Sequence, residues 1–163
     1  MKKPDFLHSL SRDKKLELVE PSPEIASAYL QKGADCLRSA KILCENGLYD
    51  NSISLSYYAM YNALTAMLYQ TGIKCENHSG SIALLEKLFE QPKLHRLISL
   101  AKRERIDKQY YVASASNAAS NATLADQTAK EAEEFMLEAR LFIAQLDEKR
   151  INAIQEKTKR LLA

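Results

Sequence analysis

The chain has 163 residues, a formal net charge of +2 and 27% charged side chains. That length suits one domain with a sizeable core, and the small net charge excludes an argument for nucleic-acid binding from total charge alone. Four Gly and four Pro are few for the length, which favours an all-helical fold. Three cysteines without a CxxC pair, and no apolar stretch of signal-peptide length near the start, predict a cytoplasmic protein with reduced thiols.

Residues 1–21 are predicted to be an N-terminal extension. Phe6, Leu7 and Leu10 suit a short helical turn, and the apolar side chains between 16 and 19 suit packing on a bundle or on a partner. Ser22 then has the character of an N-cap, with Pro23 at the first helical position. A helical domain is therefore predicted over residues 22–163.

The first long helix is predicted over Pro23–Asn46, and Asn46-Gly47 is a C-terminal stop signal. Only a few residues separate this helix from the next one, which is predicted to start near Leu48–Asp50 and to stop at Gly72. Two helices joined by so short a connection are expected to be antiparallel neighbours.

The second of these helices contains an uncharged stretch, residues 52–68, around which the rest of the chain is organised. It carries two stripes at helical spacing, one large and apolar (Ile53, Tyr57, Met60, Leu64, Met67) and one small (Ser52, Ser56, Ala59, Ala63, Ala66). Both faces are expected to be covered by other helices, because small residues let a neighbouring backbone approach. Its Ser, Tyr, Asn and Thr residues exclude a membrane span.

Three further helices are predicted. A short third helix covers Ile82–Glu90, with Ser79 or Ser81 as its cap, and a fourth covers Lys93–Lys102 or a little more. The chain is therefore predicted to form an all-α, up-and-down antiparallel bundle of four to five helices with a long C-terminal helix.

The last helix is predicted to begin at Thr123 or Asp126 and to continue to near the C-terminus. Before it, residues 112–123 have a small, polar composition, which favours a mobile loop over a frayed helix. A helix of about 35 residues would be roughly 50 Å long. Since one small bundle does not need that length, its final turns are expected to project or to pack on another subunit.

The region from Pro92 to Tyr111 has six Lys or Arg against two acids. Arg beside Tyr suits phosphates and stacked bases, since guanidinium groups grip phosphate oxygens and phenol rings supply flat surface. The alternative is a solvated helix end with an intrahelical ion pair from Arg103 to Asp107. The predicted nucleotide- or RNA-binding residues are Arg103, Arg105, Asp107, Tyr110 and Tyr111, together with His78.

His78 lies in a polar loop, so its simpler interpretation is an exposed residue or a local hydrogen-bonding group. Tyr57, Tyr58 and Tyr61 are most simply core residues whose hydroxyls need partners. Helical spacing puts Tyr57 and Tyr61 on one face and Tyr58 on another. Three scattered histidines lack metal-ligand spacing, so we expect no metal and no cofactor.

Several of these residues together resemble the HEPN family. They are Tyr57-Tyr58-Ala59-Met60-Tyr61, the loop with Gly72 and His78-Ser79-Gly80, and Arg103-x-x-x-Asp107 with Tyr110-Tyr111. The resemblance covers about Ser22 to Leu146. It implies a helical bundle that commonly forms a homodimer, often with a minimal nucleotidyltransferase as a two-component or toxin–antitoxin pair. Many members are metal-independent RNases that use an Arg and, after four to six residues, a His.

The chain departs from that pattern, because no histidine stands at the required distance after Arg103 or Arg105. RNA cleavage by 2′-hydroxyl attack needs a group that moves a proton. We therefore expect a non-catalytic protein that binds a nucleotide, an RNA phosphate or a nucleotidyltransferase. An RNase in which His78 or Tyr110 transfers the proton, and a plain helical interaction module, are the alternatives.

Overall fold

A computed structural model describes residues 5–110 and 118–163. Within them seven helices and two short strands follow one another: α1 (Phe6–Arg12), β1 (Leu16–Leu18), α2 (Pro23–Glu45), α3 (Tyr49–Gln70), β2 (Ile73–Cys75), α4 (His78–Lys87), α5 (Pro92–Tyr110), α6 (Ala118–Ala144) and α7 (Glu148–Leu162). The all-α prediction is confirmed. No helix among the described residues is both long and apolar enough to cross a bilayer.

Helix α3 is the centre of the bundle. It packs against α2, α5 and α6, and every residue of its two predicted stripes is fully enclosed. Gly33 of α2 allows a close approach here, because a Cβ at that position would lie 3.1 Å from the Ala59 carbonyl oxygen. The prediction that two faces of this helix are covered is therefore confirmed.

The N-terminal segment folds onto the bundle. Helix α1 buries Leu7 and Leu10, and β1 pairs with β2 as an antiparallel ladder in which Leu16 lies opposite Cys75. The predicted helical turn is confirmed. The loop expected after Gly72 instead begins with a strand, because the extended segment after α1 supplies that strand with hydrogen-bond partners.

Helix α4 starts at His78 rather than at Ile82, and Asn77 caps it instead of Ser79 or Ser81. The Asn77 side chain accepts a hydrogen bond from the Gly80 amide at 2.8 Å, and Asn is among the strongest capping residues. The helix also ends earlier than expected, at Lys87, whereas α5 runs on to Tyr110.

The prediction of one uninterrupted last helix is wrong. Helix α6 ends at Ala144, and Asp147 caps a separate α7 by accepting a hydrogen bond from the Arg150 amide at 2.7 Å. Helix α7 turns back and packs on α1 and β1, with Ile154 and Thr158 buried. Its turns therefore do not project from the bundle.

The loop predicted over residues 112–123 is also corrected in part. Residues 118–123 are helical and form the first turns of α6. Residues 112–117 lie outside the described residues.

Gly72 gives a first testable prediction. Its φ is +74°, and a Cβ there would lie 2.5 Å from the Val19 carbonyl oxygen, whereas Gly47 has a φ of +76° with nothing within 4 Å. Gly47→Ala should cost roughly 1 kcal/mol of unfolding free energy through backbone strain alone. Gly72→Ala should cost clearly more, because it also pushes the N-terminal segment away. Urea denaturation of both variants measures the difference, and equal losses would contradict the close packing of that segment.

Candidate functional site

The hydroxyl of Tyr57 connects the centre of the bundle to the start of α4. Tyr57 is fully buried, and its hydroxyl lies 2.6 Å from Nδ1 of His78, the first residue of α4. Burial raises the pKa of Tyr57, so this phenol keeps its proton. The hydroxyl has no other hydrogen-bond partner among the described residues. We therefore assign the donor role to the phenol, the acceptor role to Nδ1 and the proton of the neutral imidazole to Nε2.

The His78 ring is held flat against Tyr61. Their ring centroids are 3.8 Å apart at an angle of 12°, and the Tyr61 hydroxyl lies 3.5 Å from Ser81 Oγ. Tyr57 and Tyr61 themselves stack at 6.1 Å, which confirms that they share one face of α3. The imidazole is therefore fixed in position by one hydrogen bond and by stacking on Tyr61 and, at 5.9 Å between ring centroids, on Tyr57.

Arg105 of α5 packs on the rings of Tyr57 and Tyr58. Its guanidinium lies 5.1 Å from the Tyr57 ring centroid and 5.5 Å from that of Tyr58, and it donates a hydrogen bond to the Tyr58 hydroxyl at 3.2 Å. One turn earlier, Lys102 Nζ donates to Ser79 Oγ at 2.6 Å. Two cations of α5 thus flank the first turn of α4.

These charges and the surrounding protein change the titration of His78. Burial lowers the pKa of its imidazole, and the nearby positive charges of Arg105 and Lys102 lower it further. Burial and Arg105 likewise lower the pKa of Lys102. The site therefore favours a neutral imidazole next to fixed positive charge.

A cavity of about 460 Å³ opens beside this group. We call it the tyrosine cavity, because Tyr29, Tyr58, Tyr61 and Tyr69 line it together with His78. Tyr29 and Tyr69 stack on each other at 5.7 Å with an interplanar angle of 8°. Flat aromatic surface from α2, α3 and α4 therefore meets in one place.

Two lysines also line the tyrosine cavity. Lys74 is paired with Glu76 at 2.8 Å, whereas Lys32 makes no ion pair with any described residue and has its Nζ 5.9 Å from the Tyr29 ring centroid. Within residues 5–110 and 118–163, no three His, Cys, Asp or Glu side chains form a group that could hold a metal ion.

The sequence-predicted site residues fall into two groups. His78 and Arg105 meet at Tyr57, as described above. Arg103 and Asp107 are exposed, and no ion pair joins them in the described part of the chain. Arg103 and Arg105 are two residues apart on one helix, so their side chains leave it on nearly opposite sides. The side chain of Tyr110, and all of Tyr111, lie outside the described residues.

Comparison with known proteins identifies the family. A family model described as the HEPN domain matches residues 26–149. The chain belongs to the HEPN family. The resemblance inferred from the sequence is thereby confirmed over most of the chain.

Relatives of this HEPN protein include a UPF0332 protein of Gloeobacter violaceus, 31% identical over 86 residues, which are 50% of this chain and 68% of that protein. A UPF0332 protein of Pyrococcus horikoshii is 39% identical over 62 residues, or 38% of this chain and 44% of that protein. One of Archaeoglobus fulgidus is 36% identical over 62 residues, or 38% of this chain and 50% of that protein. The chain thus matches only about half the length of the last two.

The sequence predicts Tyr57, Tyr58 and Tyr61 as core residues. It does not single out Lys102, Lys32 or Asn62 for the site. Tyr57 is core in the predicted sense, because it is buried and its hydroxyl finds a partner. Tyr58 and Tyr61, however, are half-buried and face the tyrosine cavity. The sequence signal that could have indicated this role is the presence of tyrosine at three of the five positions 57–61.

The lowered pKa of His78 predicts how stability changes with pH. The unfolded chain, with an ordinary imidazole pKa of about 6.5, takes up a proton before the folded protein does. The stabilisation that comes from neutral His78 is therefore fully present above about pH 6.5. It is lost as the pH falls from there through the lower pKa of the folded protein. His78→Gln should reduce this loss, whereas His8→Gln, at an exposed position, should leave it unchanged.

Urea denaturation of the three proteins at about pH 7.5 and about pH 5 measures the effect. An equal loss of unfolding free energy in the His78 and His8 variants would contradict a desolvated neutral imidazole at this position.

Proposed function

We propose that this HEPN protein binds a nucleotide unit, either in single-stranded RNA or as a free nucleotide, in the tyrosine cavity without cleaving it. The observation that carries this proposal is the meeting of stacked aromatic rings with lysine and arginine side chains at and beside one cavity of about 460 Å³. That volume is within the range of small-molecule and cofactor sites.

The aromatic rings suit a nucleobase. Every base has a π-face, and stacking on an aromatic side chain contributes about 1–3 kcal/mol per base. Tyr58, Tyr61 and His78 supply such faces on one side of the cavity, and the stacked pair of Tyr29 and Tyr69 supplies more.

The cations suit a phosphate. Lys32 lines the cavity, and Lys102 and Arg105 lie next to its His78 end. The Nε2–H of His78 is directed away from Tyr57 and makes no hydrogen bond with a described residue, so it is available as one more donor. Lysine and arginine charges that neutralise phosphates supply most of the sequence-independent affinity for nucleic acid.

The same geometry favours binding over cleavage. A general base needs a nitrogen lone pair directed at the 2′-hydroxyl, but Nδ1 of His78 is occupied by Tyr57 and Nε2 carries the proton. A general acid needs an imidazolium, and burial and the neighbouring cations lower the pKa of His78. His78 therefore fits the role of a neutral hydrogen-bond donor.

Variants of α5 test this proposal and separate it from the set predicted by sequence. Arg105→Gln and Lys102→Gln should each weaken binding of a fluorescent single-stranded RNA of about eight nucleotides and lower the salt slope by about 0.7. Arg103→Gln is the matched control, since it removes an equal charge from an exposed position of the same helix. Fluorescence anisotropy in EDTA measures binding, and electrophoresis of the same samples shows whether the RNA stays intact.

Three outcomes would oppose the proposal. A complete lack of RNA and nucleotide binding would remove it. Equal losses for Arg103→Gln and Arg105→Gln would favour the residues predicted by sequence instead. Cleavage of the RNA in EDTA that His78→Gln abolishes would support the RNase alternative.

A homodimer is a second proposal, and a groove between α2 and α6 supports it. The groove has a volume of about 470 Å³, and its rim carries Ile42 and Leu137 with 51% and 58% of their surface exposed. Lys41 and Glu133 pair across it at 3.1 Å, so the groove offers both charges to an identical surface. Light scattering that gives a monomer at micromolar concentration would remove this proposal. A nucleotidyltransferase partner in a toxin–antitoxin pair is a proposal supported by family membership alone.

A further inference from the structure

Asn62 is a polar side chain at the bottom of the tyrosine cavity. It is only 5% exposed, yet it lines the cavity from the middle of α3. Its Nδ2 donates to the Tyr58 carbonyl oxygen at 2.8 Å, with Cys36 Sγ at 3.7 Å. Because a backbone carbonyl can only accept a hydrogen bond, this contact fixes which end of the amide is nitrogen and which is oxygen.

The other end of the amide has no protein partner. Oδ1 of Asn62 accepts no hydrogen bond from a described residue, and it is not among the enclosed side-chain atoms without a partner. It is therefore open to the cavity that Asn62 lines. An acceptor that is open to the cavity and has no protein partner is free to accept a hydrogen bond from a ligand.

Thr65 adds a second acceptor on the same face of α3. It lies three residues after Asn62, also lines the tyrosine cavity, and donates its hydroxyl proton to the Tyr61 carbonyl oxygen at 2.9 Å. Only the lone pairs of Oγ1 remain for a ligand. At these two positions α3 thus offers acceptors to the cavity, whereas Lys32 and Lys74 supply donors.

We propose that the tyrosine cavity selects a nucleobase with an exocyclic amino group over one with a carbonyl at the same place, and that Asn62 Oδ1 accepts the amino proton. Adenine presents such a donor, whereas uracil and hypoxanthine place a carbonyl oxygen there. A carbonyl facing Oδ1 would leave two acceptors opposed and both unpaired. This selectivity rests on the proposed binding function and names the chemical class of base that the cavity takes.

Adenosine and inosine monophosphates make a matched pair, because they have the same size and differ at the 6-position of the purine. Isothermal titration calorimetry with each should show AMP bound about tenfold more tightly than IMP, the ratio expected for one buried hydrogen bond. Asn62→Ala should bring that ratio close to one. Asn51→Ala, at an exposed position of the same helix, should preserve it.

The outcomes separate this inference from the binding function beneath it. If AMP and IMP bind equally, or IMP binds more tightly, base selection by Asn62 is overturned while binding stands. If RNA binds but neither mononucleotide does, base selection by Asn62 is likewise overturned and RNA binding stands. If neither RNA nor mononucleotide binds, the proposed function itself fails. Should Asn62→Ala fail to fold, the comparison of AMP with IMP on the unaltered protein still decides.

Discussion

The phenol of Tyr57 must find a hydrogen-bond acceptor, because it is buried at the centre of the bundle, where water is excluded. The acceptor is Nδ1 of His78, which lies on a different helix. That single bond determines the tautomer of the imidazole and ties the start of α4 to α3. Tyr61 then packs flat on the imidazole, and the Arg105 guanidinium lies over the Tyr57 ring. The tyrosine cavity has its shape and its charge because these groups are held together.

The chain builds this arrangement from ordinary helical packing. Small residues on α3 let α2 approach closely, which brings Tyr29 and Lys32 next to Tyr58 and Tyr69. The β1–β2 ladder comes directly before α4, with Cys75 at the end of β2 and His78 at the start of the helix. Asn77 caps α4, so His78 is its first residue, and Tyr57 and Tyr61 hold the His78 ring in place. The cavity is thus lined by side chains of α2, of α3, of residues 74–76 and of the first residue of α4, and α3 contributes the most.

The sequence allowed most of the bundle to be predicted, because the stripes of α3 repeat at helical spacing and Asn46-Gly47 is a strong stop. It did not reveal the break before α7, because no Gly or Pro marks the end of α6 and Asp147 is one charged residue among many in this part of the chain. The site was harder to predict. Arg105 and His78 are both among its predicted residues. Arg103 was predicted with Arg105 because the two are close in sequence, but on a helix residues two apart direct their side chains to nearly opposite sides. Asn62 gave no signal, because a polar residue in an apolar stretch shows its role only when its partners are known.

The central claim is that His78 is neutral, accepts a hydrogen bond from Tyr57 at Nδ1 and carries its proton on Nε2. Nitrogen-15 NMR of the imidazole ring tests this most directly, because the two ring nitrogens have different shifts when protonated and when not. At neutral pH we expect the His78 ring to be protonated at Nε2 and unprotonated and hydrogen-bonded at Nδ1. Tyr57→Phe should weaken the preference for this tautomer. A ring protonated at Nδ1, or an imidazolium at neutral pH, would contradict the account.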